Sequence, residues 1–172
     1  NSYEKYDASA SVKGALTHYM NTVSVQVLFE TGIPAVIKMA ERLGITSELP
    51  KVPSIVLGTS DISLYDMVTA YTTLANRGEK ARLHSIQRIE DTDGNTLYDA
   101  GEDASLQKEQ VVDPQYVDLL NDMLLNVSVE GTGSRIYRDY RIPYPICGKT
   151  GTTQNQSDGW YVGHHADLAI GA

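Results

Sequence analysis

Cysteine is almost missing from this sequence: its 172 residues include one, Cys147, so no disulfide can form within the chain and the redox compartment stays open. Basic clusters are missing too. Lys and Arg number 14 against 22 Asp and Glu, the net charge is −8, and no basic run exceeds two residues. A phosphate-binding surface needs clustered cations, so nucleic acid is excluded as a partner. No stretch approaches the ~20 apolar residues that span a bilayer, and no signal peptide is visible. Aromatic content is lopsided, with one Trp and one Phe against eleven Tyr. The four histidines lack metal-site spacing: His18 and His84 stand alone, and His164 and His165 are neighbours that a strand would turn to opposite faces. Neither a metal nor a cofactor is expected.

What is present suits one folded domain, with 41% hydrophobic residues to build a core. Ser11 is placed to cap a short helix over 11–18, and apolar residues continue over 22–31. Pro34 suits the first turn of a helix bearing Val36, Ile37, Ala40 and Leu43 on one face and ending at Gly44. After a Pro-rich connector at 49–60, Ser60 or Asp61 is expected to cap a helix with Leu64, Met67, Val68, Tyr71, Leu74 and Ala75 on one face, closed at Gly78. Residues 82–90 and 96–98 read as a hairpin across an Asp-Gly turn. Residues 101–112 read as loop, and Asp113-Pro114 opens a helix with Tyr116, Leu120, Leu124 and Val127 on one side. A glycine loop (VEGTGSR, 129–135), an extended RIPYPICGKTG and two strands in GWYVGHHADLAIGA follow. Helices first and strands last predict α+β with an antiparallel sheet. The abrupt start at Asn1 and a last strand broken off in DLAIGA suggest a piece of something longer.

The stretch CGKTGTTQNQSDGW (147–160) carries the chemistry. Gly151 has no Cβ, so a second backbone can lie close beside an edge strand and pair with it. Thr150 and Thr152 alternate with it and can present hydroxyls on one face, while Lys149 brings positive charge and a backbone N–H beyond the glycine can hold an oxyanion. Together these groups read a carboxylate and a carbonyl. Lys-Thr-Gly by itself is a common tripeptide that marks many strand ends; its long extension is what gives it weight.

With ALTHYMNTVSVQV (15–27), AERLGI (40–45), PSIVLGTSDISLYDMVTAYTTLANRG (53–78), VEGTGSR (129–135) and GKTGTTQNQSDGWYVG (148–163), the chain resembles the transpeptidase domain of class A penicillin-binding proteins. The resemblance implies an antiparallel sheet flanked by helices, of β-lactamase and transpeptidase type. It implies a serine acylated by the D-Ala-D-Ala end of a peptidoglycan stem peptide, a second stem amine that resolves the ester into a cross-link, and β-lactams that acylate the same serine. Lys149 is then the K-T-G lysine, Thr152 supplies the oxyanion N–H, Thr150, Gly151 and Thr153 line the substrate strand, and Asn21 is the asparagine of S-x-N. The resemblance further implies a cell-envelope location, with a membrane anchor and a glycosyltransferase domain elsewhere in the parent.

Two departures stand out. S-x-x-K occurs as Ser2-Tyr3-Glu4-Lys5 and Ser105-Leu106-Gln107-Lys108, neither opening an amphipathic helix, so the nucleophile is expected N-terminal to Asn1 and residues 1–172 read as the C-terminal, incomplete portion of the domain. And Tyr19 stands where S-x-N has serine, giving Tyr19-Met20-Asn21. Three readings are open: divergence of an altered site, a working phenol as in the Y-x-N of class C β-lactamases, or a Tyr packed in a turn with its hydroxyl in water. The alternative to a transpeptidase is a non-catalytic module of the same fold that binds peptidoglycan or a protein. Cys147 reads as a small buried hydrophobe rather than a reactive thiol. Arg135 reads as a surface residue, and Trp160 as sheet support.

Overall fold

Residues 10–80, 82–152 and 159–172 are described by a computed structural model, Thr152 by its backbone alone. Ser2, Lys5, Thr153, Asn155, Ser157 and Asp158 lie outside the described residues. Helix α1 (Val12–Thr17) is opened by Ser11, whose hydroxyl accepts from the Gly14 N–H at 3.0 Å. Helix α2 (Asn21–Thr31) ends at Gly32, and α3 (Ile33–Leu43) starts with Pro34 in its first turn and ends at Gly44. No single helix among the described residues is long and apolar enough to cross a membrane.

Helix α4 (Leu64–Ala75) departs from its expected form twice. Its cap is Ser63, not Ser60 or Asp61: the Ser63 hydroxyl accepts from the Asp66 N–H at 3.0 Å. Its buried residues are Asp66, Thr69, Ala70, Thr73 and Leu74, where an apolar stripe was expected. Polar groups can be buried at low cost when each has a partner. Asp66 accepts from the N–H and hydroxyl groups of Thr46 and Ser47 at 2.6–3.1 Å. Thr73 donates to the Leu43 carbonyl at 3.0 Å, tying α4 to α3. The apolar residues Leu64 and Val68 instead fill the space beside Gly171 of the sheet.

The hairpin forms as β2 (Arg88–Glu90) and β3 (Thr96–Asp99), so the strand expected over 82–90 is confined to its last residues. The region read as loop contributes a two-residue strand, β4 (Glu109–Gln110), antiparallel to β1 (Glu79–Lys80); so short a ribbon has no alternation to read. Helix α5 (Pro114–Val129) is capped by Asp113 and buries Val117, Leu124, Val127 and Ser128. Tyr116 is exposed, because Val117, its neighbour, takes the inward position. The short helix α6 (Arg135–Arg138) follows the glycine loop.

The C-terminal sheet holds β5 (Cys147–Thr152), β6 (Gly159–His165) and β7 (Leu168–Gly171), all antiparallel in the order β5-β6-β7. Lys149 pairs with Val162 and Thr150 with Tyr161, and among the described residues β5 is an edge strand. Helix α5 lies against β5, and α4 against β6 and β7. The core forms where Leu74, Val117 and Leu124 meet, with Tyr71 and Cys147 packed around them. The fold is α+β, an antiparallel sheet flanked by helices.

Candidate active site

Three segments far apart in sequence meet, one of them β5. The first is the turn after α1. The Tyr19 N–H donates to the Leu16 carbonyl at 3.4 Å and the Met20 N–H to the Ala15 carbonyl at 2.9 Å, the paired bonds of a Schellman helix end. Tyr19 takes the position that such an end usually gives to glycine, with φ +56°. A left-handed conformation costs a residue with a Cβ roughly 1–2 kcal/mol, so the strain is held by surrounding contacts. The turn delivers Asn21 as the first residue of α2, with an exposed side chain.

The second segment is β5 itself. Gly148 is buried, and the end of the Tyr161 ring occupies the place its Cβ would need, so packing demands glycine before the lysine. Gly151 is different. A Cβ there would meet only Trp160 Cβ at 3.6 Å, an ordinary contact. Nothing within the described residues requires that glycine, and its effect is to leave the exposed strand bare. Between them Lys149 is half-buried, with its Nζ 4.1 Å from the centre of the Tyr19 ring and 3.0 Å from the Thr150 carbonyl that accepts from it. The ammonium therefore meets the ring face of Tyr19, an attraction of about 0.5–2 kcal/mol depending on desolvation. Burial pushes the Lys149 pKa below its ordinary value, and among the described residues no carboxylate pairs with it.

The third segment is the glycine loop. Gly131 packs directly on the Thr17 carbonyl, and the Asn126 amide donates to the Thr17 hydroxyl at 3.0 Å. The Thr150 and Thr132 hydroxyls are 2.7 Å apart. The loop thus touches both the end of α1 and the middle of β5. What results is a half-buried cation, hydroxyls and an uncovered strand edge, with no acidic side chain paired to the cation among the described residues, a combination that attracts a carboxylate at the end of an extended chain.

The family model for the penicillin binding protein transpeptidase domain matches residues 1–167. The chain belongs to the penicillin-binding protein transpeptidase family. Curated relatives include penicillin-binding protein 1B of Haemophilus influenzae, 34% identical over 93% of this chain and 20% of that protein. Penicillin-binding protein 1A of Neisseria meningitidis is 31% identical over 98% of this chain and 21% of its own length. The chain therefore spans about a fifth of the curated relatives it matches. Among solved structures, penicillin-binding protein 1A of H. influenzae superposes with a TM-score of 0.84 at 21% identity, over 99% of this chain and 30% of that one. The PonA1 protein of Mycobacterium tuberculosis, solved with penicillin V, gives 0.78 at 23% identity, over 97% of this chain and 48% of that one.

Within this transpeptidase fold, Tyr19 and Lys149 meet, and Asn21 stands two residues beyond Tyr19. Gly151 lies beside Trp160, and the backbone of Thr152 closes β5. Other sequence candidates lie apart. Ser105 is exposed in a single turn capped by Asp103, and Lys108 pairs with Glu79 at 3.1 Å; a lysine held by a surface carboxylate is not poised to take a proton from Ser105. Arg135 is bound by Asp139 at 2.7 Å. Cys147 donates to the Asn121 carbonyl at 3.3 Å, and burial pushes its thiol pKa up, away from nucleophilic use. His164 is buried against Asn121 while His165 lies beside Tyr144. Sequence reading passed over Thr132, Thr17 and Asn126. A threonine between two glycines was the visible signal for the first; the others had none.

Proposed function

We propose that this chain forms one wall of a serine D,D-transpeptidase site, with Lys149, Asn21 and Tyr19 at the reacting end and Thr150, Gly151, Thr152 and Thr153 binding substrate. The D-Ala-D-Ala tail of a peptidoglycan stem peptide lies along the bare edge of β5, its carboxylate drawn by Lys149 and the threonine hydroxyls. The acylated serine comes from sequence outside these residues. Its Oγ bonds to the penultimate D-Ala carbonyl carbon, whose oxyanion is held by the Thr152 N–H. The C–N bond breaks and the terminal D-Ala leaves with a proton. The amine of a second stem then attacks the ester, and the serine oxygen leaves and regains its proton. β-Lactams acylate the same serine; the penicillin V held by the mycobacterial relative supports this. The parent protein works at the cell envelope, outside the cytoplasm, in one chain with a glycosyltransferase domain.

The observation that carries this reading is the convergence of the Tyr19 turn and Lys149 beside an uncovered strand. In the full-length protein, fluorescent penicillin is expected to label a serine outside residues 1–172. Lys149→Ala should slow labelling by about 10- to 100-fold, the worth of a charged hydrogen bond. An adduct within these residues, or undiminished labelling of Lys149→Ala, overturns the assignment. The ring-on approach of Tyr19, which leaves Lys149 without the serine hydroxyl of S-x-N, favours a second reading: a module of this fold that binds stem peptide or a protein partner without acylation. Peptide binding with no serine labelled anywhere in the parent selects it.

A further inference from the structure

Two glycines face each other across the sheet immediately before Lys149. Gly148 of β5 pairs directly with Gly163 of β6, and both are buried. Neither offers its partner a side chain, and glycine restrains a strand less than any other residue. Left bare, the ladder would be loosest beside the lysine on which the site depends. One side chain fills the gap. A Cβ on Gly148 would run into the Tyr161 hydroxyl and Cζ, and the three atoms nearest a Cβ on Gly163 all belong to the Tyr161 ring, at 2.9–3.1 Å. The ring therefore lies across both glycines.

Tyr161 is itself firmly held. Its N–H donates to the Ala172 carbonyl at 2.8 Å, and its carbonyl accepts from the Ala172 N–H at 2.9 Å. Its hydroxyl is 3.3 Å from that of Ser128, a fully buried residue of α5. Tyr161 pairs with Thr150, so Gly148 is its diagonal neighbour, within reach of an aromatic side chain. Strand alternation turns Lys149 to the opposite face. The ring thus braces β5 from behind, at the stretch of backbone that aims the ammonium.

We infer that Tyr161 is a positioning residue: by lying across Gly148 and Gly163 it fixes the course of β5 ahead of Lys149, and so holds the ammonium where the peptide carboxylate is read. It acts through the strand and touches no reacting group. The inference rests on the role proposed for Lys149.

The test is the rate of fluorescent penicillin labelling of the full-length protein, from about pH 7 up to the ordinary lysine value of 10.5. Urea unfolding checks that each variant is folded. Wild-type labelling should fall as pH rises through the Lys149 pKa, which burial sets below 10.5. Tyr161→Ala should slow labelling about 10- to 100-fold, the effect of misplacing a group by up to ~1 Å. It should also move the fall to higher pH, because a released Lys149 reaches water. Tyr161→Phe keeps the ring and loses only the long bond to Ser128. Its labelling should stay within about threefold of wild type, with the wild-type pH profile. Gly163→Ala should change sign with its background. Beside Tyr161 its Cβ displaces the ring and slows labelling; beside Tyr161→Ala it restrains the bare strand and speeds labelling. A Tyr161 that serves stability alone would leave the rate and pH profile of the folded protein unchanged. That outcome overturns the inference and leaves the site reading standing. So does a Phe variant as slow as the Ala variant, or a Gly163→Ala effect of one sign in both backgrounds. Absence of labelling in the wild type, or wild-type labelling of Lys149→Ala, removes the site reading and the inference with it. Should Tyr161→Ala unfold, Gly163→Ala in the wild type decides by the same rate and pH profile.

Discussion

Lys149 keeps an ammonium half-buried against the face of a tyrosine. Burial disfavours the charged form, so its folded pKa lies below the ordinary 10.5 while the unfolded chain keeps the ordinary value. The unfolded state then holds more protons between the two values, and stability rises with pH across that window. Carboxylate affinity runs the other way: it should fall as pH rises through the lowered value, beginning below 10.5, in a titration of peptide binding against pH. The Tyr19 ring is what faces the ammonium. Tyr19→Phe keeps that face and should leave urea stability within about 0.5 kcal/mol, whereas Tyr19→Leu removes it and should cost about 1 kcal/mol. Equal stability of the Phe and Leu variants would show that the ring face contributes nothing. At this scale Lys149 and Tyr19 were both nameable from their motifs. The way they meet was not, because a motif gives residue types and spacings, not the orientation of a ring.

At the scale of elements, the glycine loop couples α1 to β5, and two glycines of the site differ in what they do. A Cβ at Gly131 would run into the Thr17 carbonyl, which is backbone and cannot swing aside. Gly131→Ala should cost about 1–3 kcal/mol, as overpacking does, and should broaden or shift the resonances of the Tyr19 turn. Gly151→Ala meets only ordinary contact at 3.6 Å. It should leave thermal stability nearly unchanged while weakening peptide binding along the strand. Equal stability of the two alanine variants would sink this distinction. Caps at Ser11 and Asp113, the break at Gly32 and the turn at Gly94 were legible because each acts within a few residues. The buried side of α4 was not. Hydropathy cannot anticipate that Asp66 and Thr73 go inward when their partners, Thr46, Ser47 and Leu43, come from another part of the chain.

At the scale of the whole molecule, the described interior holds a histidine. His164 is 5% exposed, its Nε2 is 3.1 Å from the Asn121 side-chain oxygen, and its ring meets Tyr71 edge-on. Burial, then the neighbouring His165, lowers its pKa from the ordinary 6.5. The unfolded state therefore takes up a proton before the folded state does, and the domain should lose stability as pH falls below 6.5, down to the lowered folded value. Urea unfolding between pH 7.5 and about 5 should show this slope, and His164→Gln should flatten it. A slope unchanged by that substitution would place the acid sensitivity elsewhere. Apolar side chains also stand in the open, Phe29 at 70% and Leu119 at 59% exposure, and α2 buries only Leu28.

The sequence by itself determined the family, the helix starts capped by Ser11 and Asp113, the hairpin, and the strand that carries Lys149. Those features arise from neighbouring residues: a side chain bonding to a nearby N–H, a glycine in a turn, or the alternation of a strand. Tertiary structure alone decided which face of α4 turns inward, that Tyr19 offers its ring to Lys149, and that Thr132 stands against Thr150. Each of these depends on the close approach of residues remote along the chain, which packing brings together and no local preference encodes.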